Sequence, residues 1–120
     1  MSQLFHIETI VVDGKPVSFE EGSATISGAA GYENQVVPSA SGDDFDMRRR
    51  VPRQIRMRIQ FGNTVDPARL AAQKQVEITA RDPNSSRRAY MKNCSFASMG
   101  DVGQGAVDLV YNIKSPIQWL

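Results

Sequence analysis

The clearest pattern in the chain lies over Gln54–Phe61. Ile55, Met57, Ile59 and Phe61 alternate with Gln54, Arg56, Arg58 and Gln60. A period of two with this contrast predicts a strand with one buried and one wet face. Val76, Ile78 and Ala80 alternate with Glu77, Thr79 and Arg81 and predict another. Residues 89–99 read as a strand containing Tyr90, Cys94 and Phe96. Residues 106–113 read as a last strand with Val107, Leu109 and Tyr111 on one face. At the start, Leu4–Val12 is rich in residues that fit a pleated surface. Asp13-Gly14 then signals a hairpin before the apolar pattern resumes at Val17–Phe19. Lys15-Pro16 either lengthens that loop or confines the second strand to an edge. Ser23–Gly31 is a further β candidate, where Gly28 and Gly31 suggest a bulge or a close backbone approach.

Two segments break the β pattern. Asp66-Pro67 predicts a helix start. The carboxylate can accept from a free N–H of the first turn, and proline lacks an N–H that would go unused there. Ala68–Lys74 supplies helix formers. Residues 35–50 show no regular period; Pro38, Ser39, Ser41 and Gly42 lead into Asp43, Asp44 and Asp46 and then Arg48, Arg49 and Arg50. This stretch reads as a long irregular loop, of the kind that signals function or disorder. Turns are expected at 82–86 and 100–105, and a short tail at 115–120 holds Pro116 and Trp119. The sum is about six strands, one short helix and one long loop. That predicts a mainly β, two-sheet antiparallel sandwich or barrel with the helix plugging one end. It forms one domain over 1–120, with a loop extension at 35–50.

Composition narrows the chemistry. One cysteine, Cys94, cannot form an intrachain disulfide, and with one histidine, His6, it cannot complete a four-ligand zinc site. No apolar run reaches the ~18 residues of a membrane helix. Met1–Val12 lacks a basic n-region and a small-residue cleavage site, so no signal peptide is expected and the protein is expected to be made in the cytoplasm. The net charge of +1 hides an asymmetry. Residues 1–47 carry eight acids and one base, a net −7, and residues 48–120 carry thirteen bases and five acids, a net +8. A lopsided chain of low total charge suits head-to-tail contact between copies better than general nucleic-acid binding.

No constellation points to catalysis. His6 shares a strand face with Glu8, but no nucleophile is marked beside them. Cys94, between Asn93 and Ser95, reads as a buried apolar thiol. Gly103-Gln104-Gly105 is followed by a strand rather than a helix, so it is a turn and not a phosphate loop. Asp43, Asp44 and Asp46 lack the spacing and closing glutamate of a calcium loop. No enzyme activity, cofactor or metal is expected. Arg48, Arg49, Arg50, Arg53, Arg56 and Arg58 could grip phosphates, yet no aromatic residue interleaves them for base stacking. Pairing of these arginines with carboxylates at a protein interface is the preferred reading. The interface expected is Asp43, Asp44, Phe45, Asp46, Met47, Arg48, Arg49 and Arg50.

The order of features carries more than any one of them. "VSFEEGSATISG" is followed by "AGYENQVVPSAS", a long loop and "VPRQIRMRIQFG". The short helix "DPARLAAQKQ" then precedes "VEITARD" and "AYMKNCSFASMGDVGQGAVDLVYN". In this order and spacing, over nearly the whole chain, the sequence resembles the tail tube family of Mu-type contractile-tail phages. The resemblance implies a structural virion protein that assembles into stacked, usually hexameric, rings. Their strands join into a continuous β-barrel around a channel for DNA ejection, inside a contractile sheath. It implies as partners other copies of the chain, the sheath protein, the baseplate hub and tail terminator, a tape measure protein in the lumen, and DNA in transit, with no membrane. It places the protein in the virion tail after synthesis in the host bacterial cytoplasm. Lumens of the family tend to be acidic or neutral. Arg56 and Arg58 are therefore expected either to face away from the lumen or to be neutralised by acids such as Glu77. The rival reading is a monomeric β-barrel that binds nucleic acid through residues 48–58. A small hydrolase with an unmarked site is a weaker third.

Overall fold

A computed structural model describes residues 4–120. Met1–Gln3, which begin the segment read for a leader, lie outside the described residues. The ten strands are β1 (Thr9–Val12), β2 (Lys15–Pro16), β3 (Thr25–Ser27), β4 (Tyr32–Val37), β5 (Phe45–Arg50), β6 (Arg53–Gln60), β7 (Val76–Asp82), β8 (Arg87–Met99), β9 (Ala106–Ile113) and β10 (Gln118–Trp119). One helix, α1 (Pro67–Ala71), separates β6 from β7. Eight strands form an antiparallel sheet in the order β2-β1-β7-β8-β9-β6-β3, with β10 added beside β8, and β4 and β5 form a separate two-stranded sheet.

The register explains the core. On β6 and β9 the inward residues sit opposite one another, as Ile55↔Tyr111, Met57↔Leu109 and Ile59↔Val107. β7 and β8 contribute Ile78↔Met91 and Ala80↔Ala89, and β1 adds Ile10 and Val12 against Ala80 and Ile78. All of these side chains are buried and belong to one cluster. Cross-strand apolar pairs on one face are the unit from which a sheet gains stability. A sheet with one such face must curl or find a second layer to cover it. Here it curls. β8 pairs with β7 through its first half and with β9 through its second, and Cys94 sits at the corner opposite both Val76 and Ile113. Bulges on either side of that corner, between Val76 and Ile78 and between Phe96 and Ser98, bend the strand. The chain after β2 completes the wrap. The Val17 N–H donates to the Ile10 carbonyl of β1, and the next residues pair with β6 through Phe19↔Ile59 and a bond from Glu20 N–H to the Arg58 carbonyl.

Local signals behave as their chemistry dictates. Asp13 and Gly14 both have positive φ, 50° and 80°, the geometry of a tight two-residue hairpin turn between Val12 and Lys15. β2, with its proline, lies at the edge of the sheet. Asp66 Oδ1 accepts from the Ala68 N–H at 3.1 Å and Pro67 opens the helix. The helix stops at Ala71, short of Lys74. Tyr111 reaches out of the core to donate to Gln73 Oε1 at 2.5 Å, which fastens the segment after the helix over that end of the core. Burial raises this phenol to about 12 and the Cys94 thiol to about 11.

Residues 35–50 are not an irregular loop. They are most of a β-hairpin, β4 and β5, in register from Tyr32↔Arg50 to Val37↔Phe45. The β-forming Val36, Val37 and Phe45 close it near its tip, and the proline, serines and glycine that suggested disorder are confined to the turn. Every residue of both strands is exposed. The two strands contact each other and no other strand or helix. This ribbon gives the molecule its long shape, 62 × 37 × 26 Å, and a radius of gyration of 17.3 Å. A compact domain of this length would have roughly 14 Å.

Asp82 is the one buried charged residue of the described chain. Its Oδ2 accepts the His6 N–H and its Oδ1 the Asn84 N–H, both at 3.0 Å. The bond from His6 and those of the turn hold the carboxyl below the usual carboxylate range against the opposing effect of burial. A carboxylate depressed by folding contributes stability above its unfolded pKa and loses it as pH falls through the folded value. Asp82→Asn is therefore expected to lower the melting temperature at pH 7. The gap to the wild type should close as pH falls below about 4, which thermal unfolding at a series of pH values measures. A gap that stayed constant with pH would refute this role.

Candidate assembly site

The eight residues expected at an interface all fall on the ribbon or its turn. Alternation divides the strand residues between two faces. Tyr32, Asn34, Val36, Asp46, Arg48 and Arg50 share one, and Glu33, Gln35, Val37, Phe45, Met47 and Arg49 share the other. Towards the tip, the second face carries Val37, Phe45 and Met47, which are 40%, 63% and 47% exposed. Towards the base, Glu33 meets Arg49 at 3.2 Å. On the first face the Arg48 guanidinium lies 4.0 Å from the centre of the Tyr32 ring. Asp43 and Asp44 lie at the turn, so charge changes sign along the ribbon. Because acids and arginines follow one another on extended chain, the two groups do not neutralise one another locally. Arg49 instead takes its carboxylate from across the strand pair.

The arginines singled out in the sequence do not form one surface. Arg48 and Arg50 share a ribbon face and Arg49 takes the other. Arg56 and Arg58 belong to the outer face of β6. Arg58 is held by Glu20 at 3.2 Å and Asp108 at 3.5 Å. Glu77 is not its neutralising partner, because β7 is not adjacent to β6. The outer face of the β6–β9 pair also carries a bond from Gln54 Nε2 to Asn112 Oδ1 at 3.0 Å, so it is polar but locally balanced. Arg50, Arg53 and Lys114 meet in a cleft at the base of the ribbon.

Two glycines set the direction of the ribbon. Gly28 has φ 66°, and a Cβ placed there would come within 2.3 Å of the Pro52 carbonyl oxygen. Gly31, with φ 79°, packs against the Arg53 side chain. Its carbonyl accepts the Val51 N–H at 2.9 Å, the last rung before the two chains part into β3 and β6. The ribbon is thus anchored at the Arg53 end of β6. At the other end of that strand a half-open groove of about 430 Å³ lies between α1, β2 and β6. Eight strand residues put these two features at opposite ends of a span of about 23 Å.

His6 and Cys94 are not brought into any catalytic arrangement. His6 is exposed, with its backbone N–H given to Asp82, and Cys94 is fully buried in the core. Among the described residues, no group of three or more acidic, histidine or cysteine side chains is placed to hold a metal. No helix of the structure is long and apolar enough to cross a membrane.

No protein-family model matches the sequence, and no curated protein does. Solved structures do share its fold. A chain from the sheath/tube terminator of an extracellular contractile injection system, PVC, in the extended state matches with a TM-score of 0.61 and 11% identity, over 98% of this chain and 95% of that one. A chain from the tube-terminating cap of the anti-feeding prophage matches with a TM-score of 0.58 and 10% identity, over 100% and 94%. A chain from the PVC sheath–tube complex in the extended state gives 0.59 and 10%, over 100% and 91%. The chain therefore has the fold of subunits found in contractile injection systems, along its full described length.

Gly28→Ala is expected to destabilise the protein by about 1–3 kcal/mol, because strained φ and a backbone clash act together. Gly14→Ala meets open space and should cost about 1 kcal/mol, from φ alone. Denaturant midpoints of the two variants compare them. Equal losses would show that the approach to Pro52 has no special weight.

Proposed function

We propose that this chain is a structural subunit of a contractile-type tail tube that assembles with copies of itself into stacked rings. The observation that carries the reading is the freestanding ribbon β4–β5, all of whose residues are exposed and whose outer edges are unpaired among the described strands. A two-stranded ribbon is marginally stable in water at best. One that shows Val36, Val37, Phe45 and Met47 to solvent is a surface waiting for a partner. Another copy of the chain supplies that partner in every ring and between rings. In this reading Asp43–Arg50 is the contact between subunits, the rings are hexameric, and their channel conducts DNA when the particle is a phage. The fold shared with contractile injection-system subunits supports it.

A second reading, a cap that ends a tube, is favoured by the two neighbours from a terminator and a terminating cap. The two differ in whether the purified chain elongates. A tube subunit gives stacks of many rings by negative-stain imaging, and a cap stops at one. Nucleic-acid gripping is disfavoured by the division of the arginines among separate faces and by the ion pairs at Arg49 and Arg58.

The triple change Val37→Ser, Phe45→Ser, Met47→Ser is expected to leave a folded monomer. Burial of side chains of this kind is worth about 1.5–3 kcal/mol each, so their loss should weaken association by several orders of magnitude. Size-exclusion chromatography with circular dichroism measures both outcomes. Rings or tubes formed at wild-type yield would sink the interface assignment.

A further inference from the structure

The groove at the far end of β6 has no assigned role. Val17, Ile59, Val65 and Leu70 give it an apolar wall, and the exposed Lys15 and Arg69 stand at its margin. Asp66 also borders it, but one oxygen of that carboxylate is committed to capping α1. Tyr111, at the floor, has its hydroxyl engaged by Gln73. The groove thus offers apolar surface and a basic margin, with Ser18, Gln60 and Thr64 among its polar lining. The ribbon tip is its counterpart: Phe45 with Val37 and Met47 on one face, and Asp43 and Asp44 at the turn.

We propose that this groove receives the ribbon tip of a second copy of the chain. Phe45 enters among Val17, Ile59, Val65 and Leu70, and Asp43 and Asp44 face Lys15 and Arg69. The proposal rests on the ribbon being the assembly surface and adds the site that accepts it. Position is the second argument. Ribbon and groove lie at opposite ends of β6, so one copy can fill its neighbour's groove while its own stays open for the next. Contact between two different patches is heterologous, so it repeats from copy to copy, as a ring where the rotation closes and as an open stack where it does not, rather than ending at a two-fold dimer. The cleft formed by Arg50, Arg53 and Lys114 is also basic, but it lies at the ribbon's own base and shares its pole.

Charge reversal in the full chain tests this. Lys15→Glu with Arg69→Glu alters the groove, and Asp43→Lys with Asp44→Lys alters the tip. All four positions are exposed, so folding should be retained, which circular dichroism checks. Each pair alone is expected to weaken association at least tenfold in sedimentation velocity at low salt, and the four changes together to restore it. An equimolar mixture of the two double variants is expected to regain assembly with the two variants alternating, because the acidic tip of one fits the basic groove of the other and the basic tip fits the acidic groove. If the groove variant assembles like the wild type while the tip variant does not, the groove assignment is overturned and the ribbon interface stands. If both assemble like the wild type, the groove assignment and the charged part of the ribbon interface fall together, and the serine variant above decides whether the apolar part remains. Loss of assembly in Lys114→Glu, with the groove variant unaffected, would move the acceptor to the basal cleft.

Discussion

A ribbon of two strands buries too little to hold itself in water. β4 and β5 have cross-strand bonds, one ion pair and one stacked arginine, but no core beneath them. Everything else about the molecule's form follows from how that ribbon is carried. The curled eight-stranded sheet gives it a rigid base, since the strands it springs from, β3 and β6, are paired to each other and β6 is locked to β9 over its whole length. Gly28 and Gly31 let the chain leave that base where side chains would clash. The body supplies order and the ribbon supplies reach. The ordering entropy still owed by the ribbon is what a partner's surface would offset.

Exposed apolar strands with open edges also invite indiscriminate pairing. The ribbon carries its own restraint. Charged residues outnumber apolar ones along β5, where Asp46, Arg48, Arg49 and Arg50 flank only Phe45 and Met47. Such charges discourage flat edge-to-edge stacking of identical ribbons, because like would meet like at several positions. They leave favourable a contact in which acidic tip meets basic surface. In the proposed assembly, specificity and solubility would come from the same side chains, and the sign change along the ribbon would give the contact a direction.

Much of the body was legible in the sequence because its chemistry is local. The alternation over Gln54–Gln60 and Val76–Arg81, the Asp13-Gly14 turn and the Asp66-Pro67 helix start each state their structure within a few residues. Pairing was not legible. The acids that hold Arg58 come from Glu20 and Asp108, 38 and 50 positions away, and no period reveals them. β8 was readable as a strand but not as a corner. Its bulges move the inward set from Ala89 and Met91 to Cys94, and a bulge has no sequence mark here. The ribbon was missed for a different reason. Its two faces mix charge and apolar groups because neither meets a core of its own chain, so binary alternation, which reports burial, has nothing to report. The sequence still draws attention to Phe45 and Met47 as apolar residues set among charges, and both prove to be exposed on the ribbon.

That failure of pattern is itself informative about mechanism. A segment whose side chains are organised by its own fold shows a period of two or of 3.6. The ribbon has no core-facing set. It carries exposed apolar residues near its tip, acids at the turn and arginines towards its root. The fold needs none of these, because β6, β7, β8 and β9 already close the core without the ribbon. Removing the ribbon would therefore leave the core cluster intact while erasing the longest dimension of the molecule. The physical division is between a body whose core closes without the ribbon and an exposed arm that buries none of its residues against that body.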